Sequence, residues 1–322
     1  SEQAGISIAG ANGNMGKDKS VYLRGGYVAH TLITIDGIPV YDPSGIGGNF
    51  DIRNLSLAQI ERIEILKGSQ STLYGSDAVN GVINIITVGH KTNSTQAGLS
   101  YGSYDTWRAQ AAVNGTAKKI QYNSSYSFVR SRGMNEAVNN GNFTETDRDE
   151  YAQHNFQAGI GFSPAKGLSI KPFIRFSDIN GSIDQGAFTD ELDYTYKQKS
   201  VQAGLKGEYK WKQHTLTLLY NINSINRRYT DDSVKSRNGY DTWAEGSYKG
   251  NEHFADLLWV MKKNQSLTFT GGVEFRNSVS DQRYNSVGFF GPYGTMYGKD
   301  SLRQQQGALY GAVNWNSPSG FN

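Results

Sequence analysis

The sequence contains no cysteine at any of its 322 positions. A disulfide framework and every cysteine-ligated metal site are thereby excluded. Proline is scarce, at 6 residues. No apolar run approaches the roughly 20 residues that a membrane-spanning helix needs, and the mean hydropathy is −0.56. A helical membrane protein is excluded; a β-barrel is not, because its strands show lipid only at every second residue. The formal net charge of +3 is too small to argue for nucleic acid. No secretory leader is visible at Ser1.

Catalytic signatures are missing too. His30, His90, His154, His214 and His253 are scattered, with no His-Glu-x-x-His spacing. No Gly-x-Ser-x-Gly elbow occurs. Ala11 to Asp18 (ANGNMGKD) falls short of a phosphate-binding loop, because Asp18 stands where that motif needs Ser or Thr on magnesium. No enzyme is expected.

What the chain does have is 38 Gly, 20 Tyr and 5 Trp, a mixture that suits a β-protein with many turns and an aromatic girdle. One stretch, Ser56 to Val88, organises the rest. Ser56 and Gln59 stand in capping-box spacing for one helical turn. Ile60, Ile63 and Ile65 are interleaved with Glu61, Arg62 and Glu64, and Gly68 ends the run. Ser71 to Gly75 reads as a turn, and Gly81 to Val88 as a buried β-branched strand. Such a unit is too small to hold itself together, so something must surround it.

The order and spacing of IERIEILKG, LYGS-A and GVINIIT resemble the plug domain of TonB-dependent outer-membrane receptors. The likeness extends upstream through Val21 to Gly25 and Ile33 to Val40, and spans residues 4 to 88. It implies a mostly β protein in the outer membrane of a Gram-negative bacterium. A small mixed α/β plug domain, residues 1–90, would precede the first part of an antiparallel transmembrane β-barrel, residues 91–322. The chain starts abruptly inside the plug and reads as a processed or truncated product.

Within the N-terminal part, Gly5 to Lys19 reads as a loop and Val21 to Arg24 as a short strand. Thr31 to Val40 reads as a hairpin about Asp36-Gly37, and Tyr41 to Asn54 as a long loop. Gly89 to Thr95 is the expected domain boundary. Beyond it the period becomes two. Ile120, Tyr122, Tyr126 and Phe128 alternate with polar residues, as do Val201, Leu205, Tyr209 and Trp211, and Val273 and Phe275. Short links at Ala117-Lys118, Pro164 to Gly167, Trp211 to Gln213 and Lys262 to Gln265 alternate with long ones. The long ones are Ser131 to Asp149, Ser182 to Asp193, Thr230 to Gly239 and Ser278 to Asp300. Short turns at one end and long loops at the other are the pattern of an outer-membrane barrel, here about ten strands against the 22 of a plugged transporter.

The resemblance also assigns roles. Arg24 and Arg62 would pair with barrel glutamates and lock plug to wall. Asn12, Asn14, Tyr41, Asp42, Ser44, Asn49 and Phe50 would form a substrate-binding floor. Asp184, Asp190, Asp193, Asp231 and Asp241, on neighbouring acidic loops, would bind calcium as in cobalamin receptors, against the alternative of plain solvated loop acidity. No other cofactor is expected. The activity implied is active uptake of a large scarce nutrient, energised by the inner-membrane TonB protein. A surface lipoprotein is a partner such receptors can carry. The similarity is nearest to cobalamin receptors, with ferric-siderophore or haem receptors as the alternative, and a passive structural or adhesive barrel as the rival class. The floor loops carry little basic charge, which favours a near-neutral, amide-rich ligand over an anionic chelate.

Overall fold

Period-two patterning resolves into strands in the computed structural model, which describes residues 4–45, 47–56, 60–69, 74–75, 77–87, 93–138, 146–232, 241–288 and 290–315. The side chains of Asp241 and Thr242 lie outside that description.

The N-terminal unit holds two small sheets. Strands β1 (Ile6–Ala9) and β2 (Ser20–Leu23) pair antiparallel. The expected loop from Gly5 to Lys19 therefore contains a strand, because Ile6 and Ile8 pack on the core in alternation. Strands β3 (Thr31–Ile35), β4 (Ile38–Pro39), β5 (Ile60–Lys67) and β6 (Gly81–Thr87) form a sheet ordered β4-β3-β6-β5. Asp36 and Gly37 turn β3 into β4 with φ of 56° and 78°, the left-handed pair that a type I′ turn demands. β3 and β6 run parallel, and both of their faces are covered. Ile33, Ile35, Ile83 and Ile85 pack with Val21 and Val40 on one side, and Leu32 and Val82 with Ala78 on the other. Double coverage explains the apolar run GVINIIT, interrupted only by Asn84, whose side chain bonds Thr34, Gly37 and Glu64. The expected helical turn at Gln59, the turn through residues 71–73 and the linker residues 89–92 lie outside the described residues.

The rest is one antiparallel sheet of eleven strands. Its members are β7 (Ser94–Gly102), β8 (Thr106–Ala117), β9 (Ile120–Ser131), β10 (Tyr151–Ala165), β11 (Leu168–Ser182) and β12 (Thr195–Trp211). They continue with β13 (His214–Asp231), β14 (Asp241–Lys262), β15 (Leu267–Gly288), β16 (Gly291–Tyr297) and β17 (Arg303–Trp315). Neighbours in sequence are neighbours in space. β16 and β17 share the last place, pairing with successive lengths of β15. Among the described residues the sheet does not close. The long link expected from Ser278 to Asp300 is instead mostly strand, since β15 continues to Gly288 and returns as β16.

The sheet is polar inside and apolar outside. Gln153, Asn155, Gln198, Gln202, Asn221 and Asn223 are buried on the face that meets the N-terminal unit. Ile160, Ile174, Leu218, Leu257, Val273 and Phe275 are exposed on the other. That inversion suits a wall whose outer face meets lipid.

Candidate functional site

The N-terminal unit sits against the inner wall, and Arg53 is the centre of that contact. It follows Asp51 in a single turn, Ile52–Asn54, where the Asp51 carboxylate accepts from the Arg53 backbone N–H at 3.0 Å. The guanidinium then folds back on the same carboxylate, with Nε at 3.0 Å and Nη2 at 2.7 Å. It also donates to the Gly16 carbonyl and to Asp18. The wall closes over it: Nη1 lies 3.3 Å from the Tyr196 hydroxyl, and that hydroxyl donates to Gly16 O at 2.8 Å. Gln153 donates to the Arg53 carbonyl. Arg53 is 8% exposed, so its charge survives only because every donor has an acceptor. Burial alone would push the Asp51 carboxyl up; the hydrogen bonds and charge of Arg53 outweigh it and hold Asp51 below its usual range.

A second guanidinium reaches the opposite way, from wall to unit. Arg227 on β13 donates to Asp42 at 2.6 Å and to Gln198 at 2.6 Å. Gln198 in turn donates to Asn54 at 2.9 Å and to Asp51 at 3.3 Å, which joins the two arginines into one network. Three further ties extend it around the wall. Gln282 donates to Ser44 O at 3.1 Å. Arg276 pairs with Asp77 at 2.7 Å and lies over the Tyr41 ring. Arg175 pairs with Asp36 at 3.4 Å. On the β8–β10 side there is instead an apolar gap of about 930 Å³ between wall and unit.

The arginines expected as anchors lie away from this contact. Leu23 occupies the buried end of β2, so alternation leaves Arg24 exposed in the following turn, at φ 55°. Arg62 lies on the exposed edge strand β5 and pairs with its own neighbours, Glu61 at 3.0 Å and Glu64 at 2.8 Å. Neither meets a wall carboxylate among the described residues. Most residues of the expected floor are turned to the wall or the core. Asp42 and Ser44 are buried against the wall, Asn14 is buried beneath the loop after β9, and Tyr41 lies beneath Arg276. Asn49 and Phe50 are half-buried, Phe50 on the core. Asn12 alone of the seven is exposed.

The acidic loops do converge, as two groups whose ligand atoms lie within 4.8 Å of one another. Asp184 and Asp190 join Asp147; Asp193 and Asp231 join Glu191. The side chain of Asp241 lies outside the described residues. Asp147, Asp149 and Glu191 were not singled out from sequence. In the first group Asp184 accepts from Ala137 N at 2.8 Å and Asp190 from Asn135 at 2.6 Å. One oxygen each of Asp147, Asp149 and Asp190 is buried without a hydrogen-bond donor. Burial, then Asp190, pushes Asp147 up to about 6; burial, then Asp184, pushes Asp149 up to about 7. An all-oxygen donor set short of positive charge suits a hard cation such as calcium rather than zinc. Asp149 also accepts from Asn14 at 3.1 Å, and Lys17 pairs with Glu136 at 2.9 Å. The loops are thus tied to the apex of the N-terminal unit, around a cavity of about 400 Å³.

Residues 1–82 match the family model of the TonB-dependent receptor plug domain. The N-terminal unit is thus similar to a TonB-dependent receptor plug. Solved structures extend the likeness into the wall. The ferric yersiniabactin uptake receptor of Yersinia pestis aligns at TM-score 0.65 and 14% identity, over 97% of this chain and 57% of its own. The ferric citrate transporter in its unliganded form aligns at 0.67 and 15%, over 96% and 49%. The FrpB iron transporter of Neisseria meningitidis aligns at 0.67 and 13%, over 98% and 59%. The chain therefore spans about half the length of these structures, as a plug with part of a barrel.

Proposed function

We propose that this chain serves a TonB-dependent active uptake receptor for a large, scarce nutrient. The plug wired to its wall carries the reading: the buried Arg53 and the half-buried Arg227 share one network that crosses the boundary. A passive or adhesive barrel has no use for such a plug. Ligand would arrive on the long-loop side, above Asn12 and the acidic loops. The inner-membrane TonB protein would then draw on the plug and shift it off the wall.

For the ligand, an iron chelate is the first reading, because the solved structures that share the fold are named for ferric yersiniabactin and ferric citrate. Cobalamin is the second, supported by the paired acidic groups on early barrel loops. The sparse charge of the floor loops no longer favours either, since Asn14, Asp42 and Ser44 are spent on wall contacts. We assign calcium to the two acidic groups, where it would order the loops over the plug. The test is calorimetry on the full-length receptor with a ferric siderophore and with cyanocobalamin, alongside uptake with and without a proton gradient. Uptake indifferent to the gradient would defeat the active-transport reading; which ligand gives heat decides between the two.

A further inference from the structure

The inner face of the wall carries a group of bases on β11 and β12, toward the short turns from the Arg53 and Arg227 contacts. Alternation turns Lys171, Arg175 and Lys206 the same way as the buried Ser177 and Gln202. They surround a cavity of about 220 Å³ between the wall and the plug at Asp36. Gly159 and Gly161 of β10 line it as well, with Gly159 opposite Phe173, and the missing side chains leave the hollow open. Each of β9 to β12 has a paired strand on both sides, so the wall is whole at this point.

Positive charge in the hollow exceeds negative charge. Lys171 stands directly opposite Lys206 in the β11–β12 register, an arrangement that repels. Neither lysine has a carboxylate within salt-bridge reach among the described residues. Lys206 Nζ donates to the Asp36 backbone carbonyl at 3.2 Å. Glu208, the next inward acid on β12, is held by Lys210 at 2.8 Å. Arg175 gives Nη1 to Gln202 at 2.6 Å and reaches the Asp36 carboxylate with Nη2 only at 3.4 Å. That carboxylate is committed within the plug, where it accepts from Thr87 N and Thr87 Oγ1, both at 2.9 Å. Three bases thus share one acid whose short bonds run elsewhere.

A guanidinium–carboxylate bond closes to about 2.7–2.9 Å when both groups are at liberty to meet. Arg175 falls short of that, yet its side chain is only 16% exposed, so lost hydration is incompletely replaced. The Phe173 ring, 4.6 Å from the guanidinium carbon, keeps the fork in place. Asp36 shows which chemistry the fork accepts, and the cavity beside it has room for several waters or one carboxylate arm.

We propose that this hollow is an anion site that takes the carboxylates of a nutrient leaving past the plug. With the plug seated, Asp36 occupies part of the site. When the plug shifts off the wall, Asp36 departs with its turn, and Lys171, Arg175 and Lys206 are left to a ligand carboxylate. The hollow lies toward the short turns, away from the long loops where ligand arrives, which makes it a late station on the path rather than the first seat. As a station it rests on the anionic-chelate reading of the nutrient; the anion site itself rests on the wall and Asp36.

The test is calorimetry on the full-length receptor in detergent, with citrate, its neutral trimethyl ester and inorganic phosphate as probes. Lys171→Gln with Lys206→Gln is expected to weaken citrate binding about 30-fold, and the corresponding Lys→Arg pair to keep it. Asp36→Asn keeps a residue that tolerates the left-handed turn and removes the competing carboxylate, so it should tighten citrate about tenfold. Opposite signs from two sides of one cavity are not what a loss of folding gives; barrel folding is checked by heat-modifiable gel mobility. Citrate affinity that ignores the lysine pair, that falls in Asp36→Asn, or that the ester or phosphate matches would each overturn the proposal. Gradient-driven uptake is followed in parallel. Uptake intact without citrate binding in the hollow would sink this site and spare the transport reading, whereas citrate bound here while no ferric siderophore gives heat would sink the chelate reading and support the site.

Discussion

Arg227 of the barrel wall and Asp42 of the plug, 185 positions apart, meet at 2.6 Å. Their side chains are 15% and 4% exposed, so the pair is largely shielded from water. Removing one partner of a buried pair costs about 3–5 kcal/mol, because the other is left charged and uncompensated. The plug loop can escape that cost by lifting from the wall. Arg227→Gln is therefore expected to raise the permeability of the full-length receptor to a bulky antibiotic. Arg227→Gln with Asp42→Asn, which buries no unpaired charge, should leak less than the single variant. A single variant as tight as wild type would remove the pair from the anchor.

Arg53 makes a sharper demand on shape than on charge. Its Nε, Nη1 and Nη2 address Asp51, Gly16, Tyr196 and Asp18 from one planar fork. A lysine ammonium keeps the charge and cannot span those acceptors. Arg53→Lys should consequently loosen the plug nearly as far as Arg53→Ala, read as faster proteolysis of the plug in the intact receptor. Arg24→Ala, at an exposed turn, should change nothing. The reverse ranking would restore the role that the family likeness gives Arg24.

Acid should undo the same contact. Asp51 titrates below its usual range in the folded protein, so near pH 4 the unfolded chain binds more protons than the native one. Its stabilising contribution is complete above the unfolded value and is lost as pH falls through the lower native value. A fluorophore on the plug should report release from the wall only below about pH 4. In Asp51→Asn that acid step should vanish and the plug should be looser at neutral pH.

Much of this architecture could be read before any coordinates, for physical reasons that also mark the limit. Strand alternation is local, and a lipid-facing wall writes it in every strand, as in Ile120 to Phe128. Asp36-Gly37 is equally local, because only a few residues accept its dihedrals. The anchor is not local. Arg24 and Arg53 both sit beside glycine-rich loops, and what separates them is a wall contributed by Tyr196, 143 positions beyond Arg53. The acidic groups were half legible: Asp184, Asp190, Asp193 and Asp231 stand in visibly acidic loops. Asp147 and Asp149 were missed because they alternate with Thr146, Arg148 and Glu150 on the preceding loop, and only the pairing of β10 with β11 brings the loops together.

Gly250 offers a test of the seat that alters no charge. A Cβ there would lie 2.3 Å from the Pro43 carbonyl carbon and 2.4 Å from Ser44 N, and backbone cannot yield as a flexible side chain can. Gly250→Ala should push the Pro43–Ser44 loop off β14, breaking the contacts of Gln282 and Arg227 and lowering the thermal midpoint. Gly207→Ala, whose nearest neighbour would be Leu218 Cβ at 4.0 Å, is the control. Equal effects would mean that strand glycines matter only for backbone freedom.

Calcium is the prediction that reaches furthest into function. The two acidic groups draw on the loops after β9 and β11, and the second adds Asp231 at the end of β13. An ion at either position would join loops that otherwise repel, using oxygens such as those of Asp147 and Asp190 that have no donor. Asp149 and its bond to Asn14 would carry that ordering to the plug apex, so ion and nutrient should favour the same conformation and tighten each other's binding. Calcium added to the full-length receptor should give heat in calorimetry and raise the thermal midpoint, and a chelator should weaken nutrient binding. Asp190→Asn should abolish most of each effect while leaving the plug anchors alone. Protons compete for the same oxygens. Asp147 titrates near 6 without the ion because burial and then Asp190 oppose its charge, so calcium affinity should fall as pH drops below about 6. A receptor that gives no heat with calcium, and whose nutrient affinity ignores a chelator, has only solvated loop acidity in these positions.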